Sequence, residues 1–229
     1  MGVGSRHGLL QSSLYLGHAQ GMVEPPLLFD LDGTLLDTLG DLADAANAAR
    51  GHFGLGPVPD VEVAPHIGWG LRRLLTPLLP AELHQSLATA RAVFMAHYAE
   101  NLLKRSVPCP GADALMRTRG SRFIGVVTNK PARFVAPILT HFGWHFDVVI
   151  TGDTLSQRKP EPAPLLHALE GVGRRGEAIF FGDSDVDHEA ALRAGISFVA
   201  VAWGRVTDPG VPRIHRLEAA LEWGMNTTC

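Results

Sequence analysis

Cysteine is almost absent from this chain: of 229 residues only Cys109 and the terminal Cys229 carry a thiol. That leaves no basis for a disulfide framework, and a reducing cytoplasm is the expected compartment. Long apolar runs are missing too, so no membrane is expected as a partner. Neither sign of charge dominates, with 20 Lys and Arg against 23 Asp and Glu and a net charge of −3. Such a balance gives no electrostatic reason to expect nucleic acid. Histidine and cysteine nowhere cluster with zinc-ligand spacing, which leaves oxygen as the chemistry available for a metal. No internal repeat or low-complexity tract is visible.

Residues 1–22 read as an N-terminal extension, with Met22 as a candidate start. Their apolar part is broken by Gln11, Ser12 and Ser13, which does not suit a secretory segment, and Arg6 stands where myristoylation needs Ser or Thr. The sequon at Asn226 is expected to be unused in a cytoplasmic protein.

What is present is a run of strand-like apolar stretches at 26–29, 123–127, 148–150, 178–181 and 197–202, most of them separated by helical pattern. Continuous apolar strands suit a sheet covered on both faces, so the expected class is α/β, with a Rossmann-like parallel sheet core flanked by helices. More than ninety residues separate the first two strands, far more than one crossover helix needs. Within them Leu42, Ala45, Ala49 and Phe53 mark one amphipathic face, and Leu83, Leu87, Ala90, Phe94, Tyr98 and Leu102 mark another. Read as one helix, 81–104 would be about 36 Å long. The interval is expected to be an inserted helical cap domain over 39–107, on a core of 23–38 and 108–229. Extra helices packed directly on the sheet are the alternative.

Polar residues follow the strands. The first ends in Asp30-Leu-Asp32, the second in Thr128-Asn129-Lys130, the third runs into Thr151-Gly-Asp153, and the fourth into Gly182-Asp-Ser-Asp-Val-Asp187. In an open parallel sheet these ends share one edge, where ligands bind. Gathered carboxylates repel unless a cation neutralises them, and hard oxygen ligands suit Mg²⁺ shared with a substrate phosphate. A carboxylate can be the nucleophile that forms an aspartyl-phosphate, and a second one two residues on can protonate the leaving oxygen and then activate water. Lys159 is a candidate to offset phosphoryl charge.

These segments resemble the motifs of the haloacid dehalogenase-like hydrolase superfamily, and within it the phosphoglycolate phosphatase-like branch. The four motifs are Asp30-Leu-Asp-Gly-Thr34, Val127-Thr-Asn-Lys130, Lys159-Pro-Glu-Pro162 and Gly182-Asp-Ser-Asp-Val-Asp187. The resemblance spans about residues 23–205 and implies a role for each position. Asp30 would be nucleophile and Mg²⁺ ligand. Asp32 would be general acid and base, with its backbone carbonyl on the metal. Asp183 would bind the metal, and Asp187 would do so directly or through water. Thr128 and Lys159 would hold phosphoryl oxygens, with Asn129 as a nearby amide donor, and Gly33 would allow the sharp exit from the first strand. Asp32 favours phosphoryl over halide chemistry, and the only lysine between Asp37 and Arg105 is Lys104, at the cap's far boundary, which disfavours phosphonate hydrolysis through a Schiff base.

The stretch Ile67-Gly-Trp-Gly-Leu-Arg-Arg73 looks like the branch's substrate loop, so Gly68, Trp69, Gly70 and Arg72 are expected to bind substrate. Trp69 stands where Asn is common, and Arg72 is a candidate partner for a substrate carboxylate, or else a solvated residue at a helix start. The implied function is a Mg²⁺-dependent phosphatase of a small phosphorylated metabolite, with 2-phosphoglycolate leading and a sugar phosphate of the N-acetylmuramate 6-phosphate type or a nucleotide next. The rivals are a phosphosugar mutase and a non-catalytic binding module. The chain is expected to act as a monomer or homodimer. His66 adjoins the cap loop; His141 and His145 are expected on a loop surface because Gly143 separates them, and His188 is expected to face solvent. Trp203-Gly204 and Cys109 are expected to be structural.

Overall fold

The first strand, β1 (Leu27–Phe29), is fully buried and lies in the middle of a six-stranded parallel sheet. The computed structural model describes residues 24–170, 172 and 177–224. The expectations for residues 1–22, for the sequon at Asn226 and for Cys229 lie outside the described residues. The other strands are β4 (Ile124–Val127), β5 (Val148–Ile150), β6 (Ile179–Gly182), β7 (Ser197–Val201) and β8 (Arg213–Ile214), in the order β5-β4-β1-β6-β7-β8. Leu27 is in register with Ile124 on one side and Ile179 on the other.

Alternation along β1 explains the layers. Leu27 and Phe29 face a cluster that holds Leu115 and Ile138, whereas Leu28 faces one that holds Leu165 and Ala190. Those partners come from α5 (Ala112–Thr118) and α6 (Ala132–Phe142) on one side, and α7 (Ala163–Ala168) and α8 (Asp185–Ala194) on the other. Helices therefore cover both faces, which is why the strands read as unbroken apolar runs. Strand β8 escaped sequence reading because two residues carry no period. The same applies to β2 (Leu36–Asp37) and β3 (Val107–Pro108), which pair antiparallel.

Between β2 and β3 the chain is helical: α1 (Leu39–His52), α2 (Asp60–Val63), α3 (Leu71–Leu75) and α4 (Leu87–Glu100). Leu42, Ala45 and Ala49 of α1 pack with Ala90, Phe94 and Tyr98 of α4 in a cluster separate from those on the sheet, joined by Phe134 of α6. The interval thus packs an apolar cluster of its own, which meets the rest of the chain at Phe134. The single helix expected over 81–104 is corrected. Ala81–Ser86 forms a 3-10 turn, and α4 stops at Glu100. The backbone then reverses through Leu103, at φ 66°, so Leu102 leaves the helical face and packs between both clusters.

Asp41, in the first turn of α1, is 2% exposed and pins the return linker. Its Oδ1 accepts the Arg105 N–H at 2.8 Å; its Oδ2 accepts the Ser106 N–H at 3.1 Å and the Ser106 hydroxyl. Arg105 also pairs with Asp44 at 2.8 Å and Asp60 at 2.7 Å, both exposed. Truncating Asp41 leaves three donors without an acceptor, two of them in the buried part of the linker. Asp41→Ala is expected to lower the free energy of unfolding by about 2–4 kcal/mol in a denaturant titration, and a loss below about 0.5 kcal/mol would contradict the clamp.

Candidate active site

Sheet order reverses at β1, because the chain goes from β1 to β4 and β5 on one side and returns to β6 and β7 on the other. Crevices at such a point lie beyond the strand ends. Asp30 leaves β1 there, Thr128 leaves β4 and Asp183 leaves β6. The ladder continues one residue past the strands: Asp30 N–H donates to Phe181 O at 2.9 Å and Thr128 N–H to Ile150 O at 2.9 Å. Regular pairing thus holds the first polar residue after β1 and after β4. Asp187 comes from the first turn of α8, whose N-cap Ser184 donates through its hydroxyl to Asp187 Oδ2 at 2.7 Å.

Carboxylate oxygens of Asp30, Asp183 and Asp187 all lie within 4.8 Å of one another, and all three residues are buried. The Lys159 ammonium is 2.8 Å from Asp30 Oδ1 and 2.7 Å from Asp187 Oδ1. Burial, with help from Asp187 and Asp32 against the pull of Lys159, raises the Asp30 carboxyl to about 7. Burial also raises Asp183 well above the usual carboxylate range, with Asp187 and Asp30 adding to the effect. Arg205, half-exposed, reaches Asp183 Oδ2 at 3.2 Å. One buried ammonium cannot balance three buried carboxylates. Asp30 Oδ1 has no hydrogen-bond donor in addition to that ion pair. An oxygen-only donor set with net negative charge fits a hard divalent cation.

Asp32 faces the other way. Its Oδ1 accepts the Thr38 hydroxyl at 2.9 Å and the Lys130 ammonium at 2.8 Å. Lys130 also donates to the hydroxyl of Tyr98, on α4, at 2.6 Å. Against the pull of burial, Asp32 and Tyr98 hold the Lys130 ammonium charged, above its ordinary range. Asn129 is fully committed within the protein: Nδ2 donates to Gly68 O at 2.8 Å and to Lys159 O at 2.9 Å, and Oδ1 accepts from Lys159 N–H at 3.0 Å.

A cavity of about 120 Å³ opens over these groups. Asp30, Asp32, Thr128 and Asn129 form its floor; the cap contributes Gly68 and Gly70 together with apolar residues such as Leu71, Leu74 and Phe94. Trp69 and Arg72, expected to bind substrate, are not among its lining residues. Trp69 instead carries the Arg73 guanidinium over its ring at 4.7 Å, and Arg72 is exposed on α3. Cap residues His66 and Arg91, and Arg158 from the core, line the cavity in their place. His141 and His145 are both exposed; His145 lies on a loop as expected, whereas His141 belongs to the last turn of α6, which Gly143 ends. His188 is not the solvent-facing residue expected: it is half-buried, stacked on Phe198 at 5.1 Å. Trp203 Nε1 donates to Gly33 O at 2.9 Å, and Cys109 is buried, its thiol raised to about 12 by burial and by Asp37.

Sequence reasoning missed Lys130, Tyr98 and Arg205. Lys130 stood inside a quoted motif without a role, Tyr98 counted only as an apolar position on a helix face, and nothing near Arg205 signals a partner twenty-two residues away.

A family model for haloacid dehalogenase-like hydrolases matches residues 27–201. The chain belongs to the haloacid dehalogenase-like hydrolase family. It is 38% identical over 192 residues to a phosphoglycolate phosphatase of Nitrosococcus oceani, covering 78% of this chain and 84% of that one. It is 34% identical over 206 residues to a phosphoglycolate phosphatase of Psychrobacter arcticus, covering 84% and 90%. A crystal structure described as a predicted phosphoglycolate phosphatase from Haemophilus somnus matches with a TM-score of 0.79 at 28% identity, over 88% of this chain and 98% of that one.

Gly33 is where the backbone must serve this cluster. Its φ is +84°, and a Cβ there would lie 2.6 Å from Asp183 Oδ2. Gly33→Ala is expected to displace Asp183 and weaken divalent-cation binding about tenfold or more. Calorimetric titration of the substrate-free protein measures this, and unchanged affinity would separate Gly33 from the cluster.

Proposed function

We propose that this chain is a Mg²⁺-dependent phosphatase that hydrolyses a small phosphomonoester through an aspartyl-phosphate on Asp30, with residues 39–107 as its cap. The observation that carries the reading is the juxtaposition of Asp30, Asp183 and Asp187 with Lys159 at the reversal point of the sheet, with Asp32 two residues from Asp30 on the cap side. In this reading Asp30, Asp183 and Asp187, with the Asp32 backbone carbonyl, hold Mg²⁺. When bound it neutralises carboxylate and phosphoryl charge.

The chain's own residues do the rest. Asp30 attacks phosphorus, so a P–O bond forms on its carboxylate as the bond to the leaving alcohol breaks. Asp32 gives that oxygen a proton, and then takes one from the water that hydrolyses the aspartyl-phosphate. Lys159 offsets the Asp30 and phosphoryl charge, and the Thr128 hydroxyl donates to a phosphoryl oxygen. The apolar cap surface excludes bulk water from the closed cavity, which strengthens each of these interactions.

2-Phosphoglycolate is the substrate we propose. The relatives that bear the phosphoglycolate phosphatase name support it. Among the described residues no helix is long and apolar enough to cross a membrane. We place the protein in the cytoplasm, where such a metabolite would be met.

Phosphate release from 2-phosphoglycolate, sugar phosphates and nucleotides, with Mg²⁺ or with EDTA, tests the reading. Mg²⁺-dependent preference for 2-phosphoglycolate is expected, whereas transfer of phosphate within one sugar without net release would indicate a mutase. Asp30→Asn is expected to lower turnover at least about a thousandfold with the fold intact by circular dichroism; full activity in that variant would sink the mechanism. Because Asp30 titrates near 7 in the cation-free protein, protons compete with Mg²⁺ below that value. Apparent Mg²⁺ affinity, followed by thermal shift, should therefore rise from about pH 6 to pH 8, with proton uptake by buffer on binding. A flat profile would mean that the carboxylates are already ionised.

A further inference from the structure

The dipeptide after Thr128 is built as a joint between cap and core. Asn129 joins the cap carbonyl of Gly68 to both backbone groups of Lys159, and its two amide N–H bonds and its acceptor are used up in doing so. Lys130 joins the cap hydroxyl of Tyr98 to the Asp32 carboxylate, and is itself only 6% exposed. Two adjacent side chains thus each hold one cap group and one reacting group of the proposed phosphatase. Both line the cavity, and beyond these two bonds the Lys130 ammonium keeps one of its three N–H donors. Their geometry accounts for a feature the mechanism leaves unexplained: a second buried lysine beside the reacting carboxylates, which never contacts Asp30.

We propose that Asn129 and Lys130 form a latch that makes the alignment of Lys159 and Asp32 depend on cap docking. Movement of the cap away from the core takes Tyr98 from Lys130 and Gly68 from Asn129. An ammonium on a four-carbon stem, once freed at one end, samples several rotamers and no longer directs the Asp32 carboxylate. Asn129 likewise loses the contact that fixes its amide plane, and with it the orientation of the Lys159 backbone. Proton delivery to the leaving oxygen then belongs to the closed state, while attack by Asp30 depends on it less. Lys130 and Asn129 are positioning residues in this scheme.

The inference rests on the phosphatase reading, and the test keeps the two apart. Tyr98→Phe removes only the hydroxyl and keeps the ring that packs against Phe94 at 5.9 Å and Phe134 at 4.9 Å. In the Mg²⁺-loaded full chain, kcat/KM is compared for an alkyl ester, 2-phosphoglycolate, and for p-nitrophenyl phosphate. An alkoxide needs a proton to leave; p-nitrophenolate does not. Since kcat/KM reports steps up to formation of the aspartyl-phosphate, the alkyl-to-aryl ratio is expected to fall about tenfold, the size of one charge-assisted hydrogen bond. A ratio that stays constant, whether both values drop or neither does, overturns the latch. Hydrogen exchange in the unliganded protein supplies a second readout: Asn129→Ala should speed amide exchange in 67–70 about tenfold, and unchanged protection overturns the cap contact. If the wild-type chain releases phosphate from neither ester, the phosphatase reading fails, and exchange alone decides whether the latch exists.

Discussion

The Lys159 ammonium between Asp30 and Asp187 is the contact on which the site depends. Three buried carboxylates cannot share a few ångströms without positive charge, and removal of one partner from a buried pair typically costs about 3–5 kcal/mol. The neighbouring backbone is shaped around this cluster. Gly182 ends β6 where a Cβ would lie 2.4 Å from the Asp187 Cβ, so α8 can bring Asp187 against the strand only because that position has no side chain. A single ammonium still leaves the cluster short of positive charge, and that deficit is the physical basis for a divalent cation.

The helical interval over 39–107 has its own apolar cluster, which Phe134 of α6 joins, and the bonds of Asn129 to Gly68 and of Lys130 to Tyr98 add polar ties to the core. Polar contacts of this kind can open at modest cost, whereas separation at Phe134, buried in that cluster, uncovers apolar surface. The cavity sets a mostly apolar roof, broken by His66 and Arg91, over a charged floor.

Much of this was legible before the fold was known. The five longer strands announced themselves because a sheet covered on both faces demands unbroken apolar runs, and the polar residues after them stood out against those runs. Asp30, Asp183 and Asp187 were legible for the same reason: carboxylates bordering buried strands need a compensating charge. The two-residue strands β2, β3 and β8 were not, since pairing alone defines them. Apolar periodicity over 81–104 joined a 3-10 turn, α4 and a reversal at Leu103 into one helix, because the pattern of burial persists where the backbone hydrogen bonding changes. Trp69 and Arg72 were drawn toward substrate by their place in a loop, but which face of that loop meets the cavity depends on how the cap docks.

By itself the sequence determined the sheet class, the insertion and the set of oxygen-bearing residues, because each follows from local apolar patterning or from residue chemistry. The tertiary structure alone decided that Lys130 would join Asp32 to Tyr98, that Asn129 would spend its amide on Gly68 and Lys159, and that Arg205 would reach Asp183. Those contacts bring together residues from separate segments, two of them across the seam between cap and core. Partners across such a seam are set by packing of whole elements, which leaves no period, spacing or local charge pattern in the chain to read.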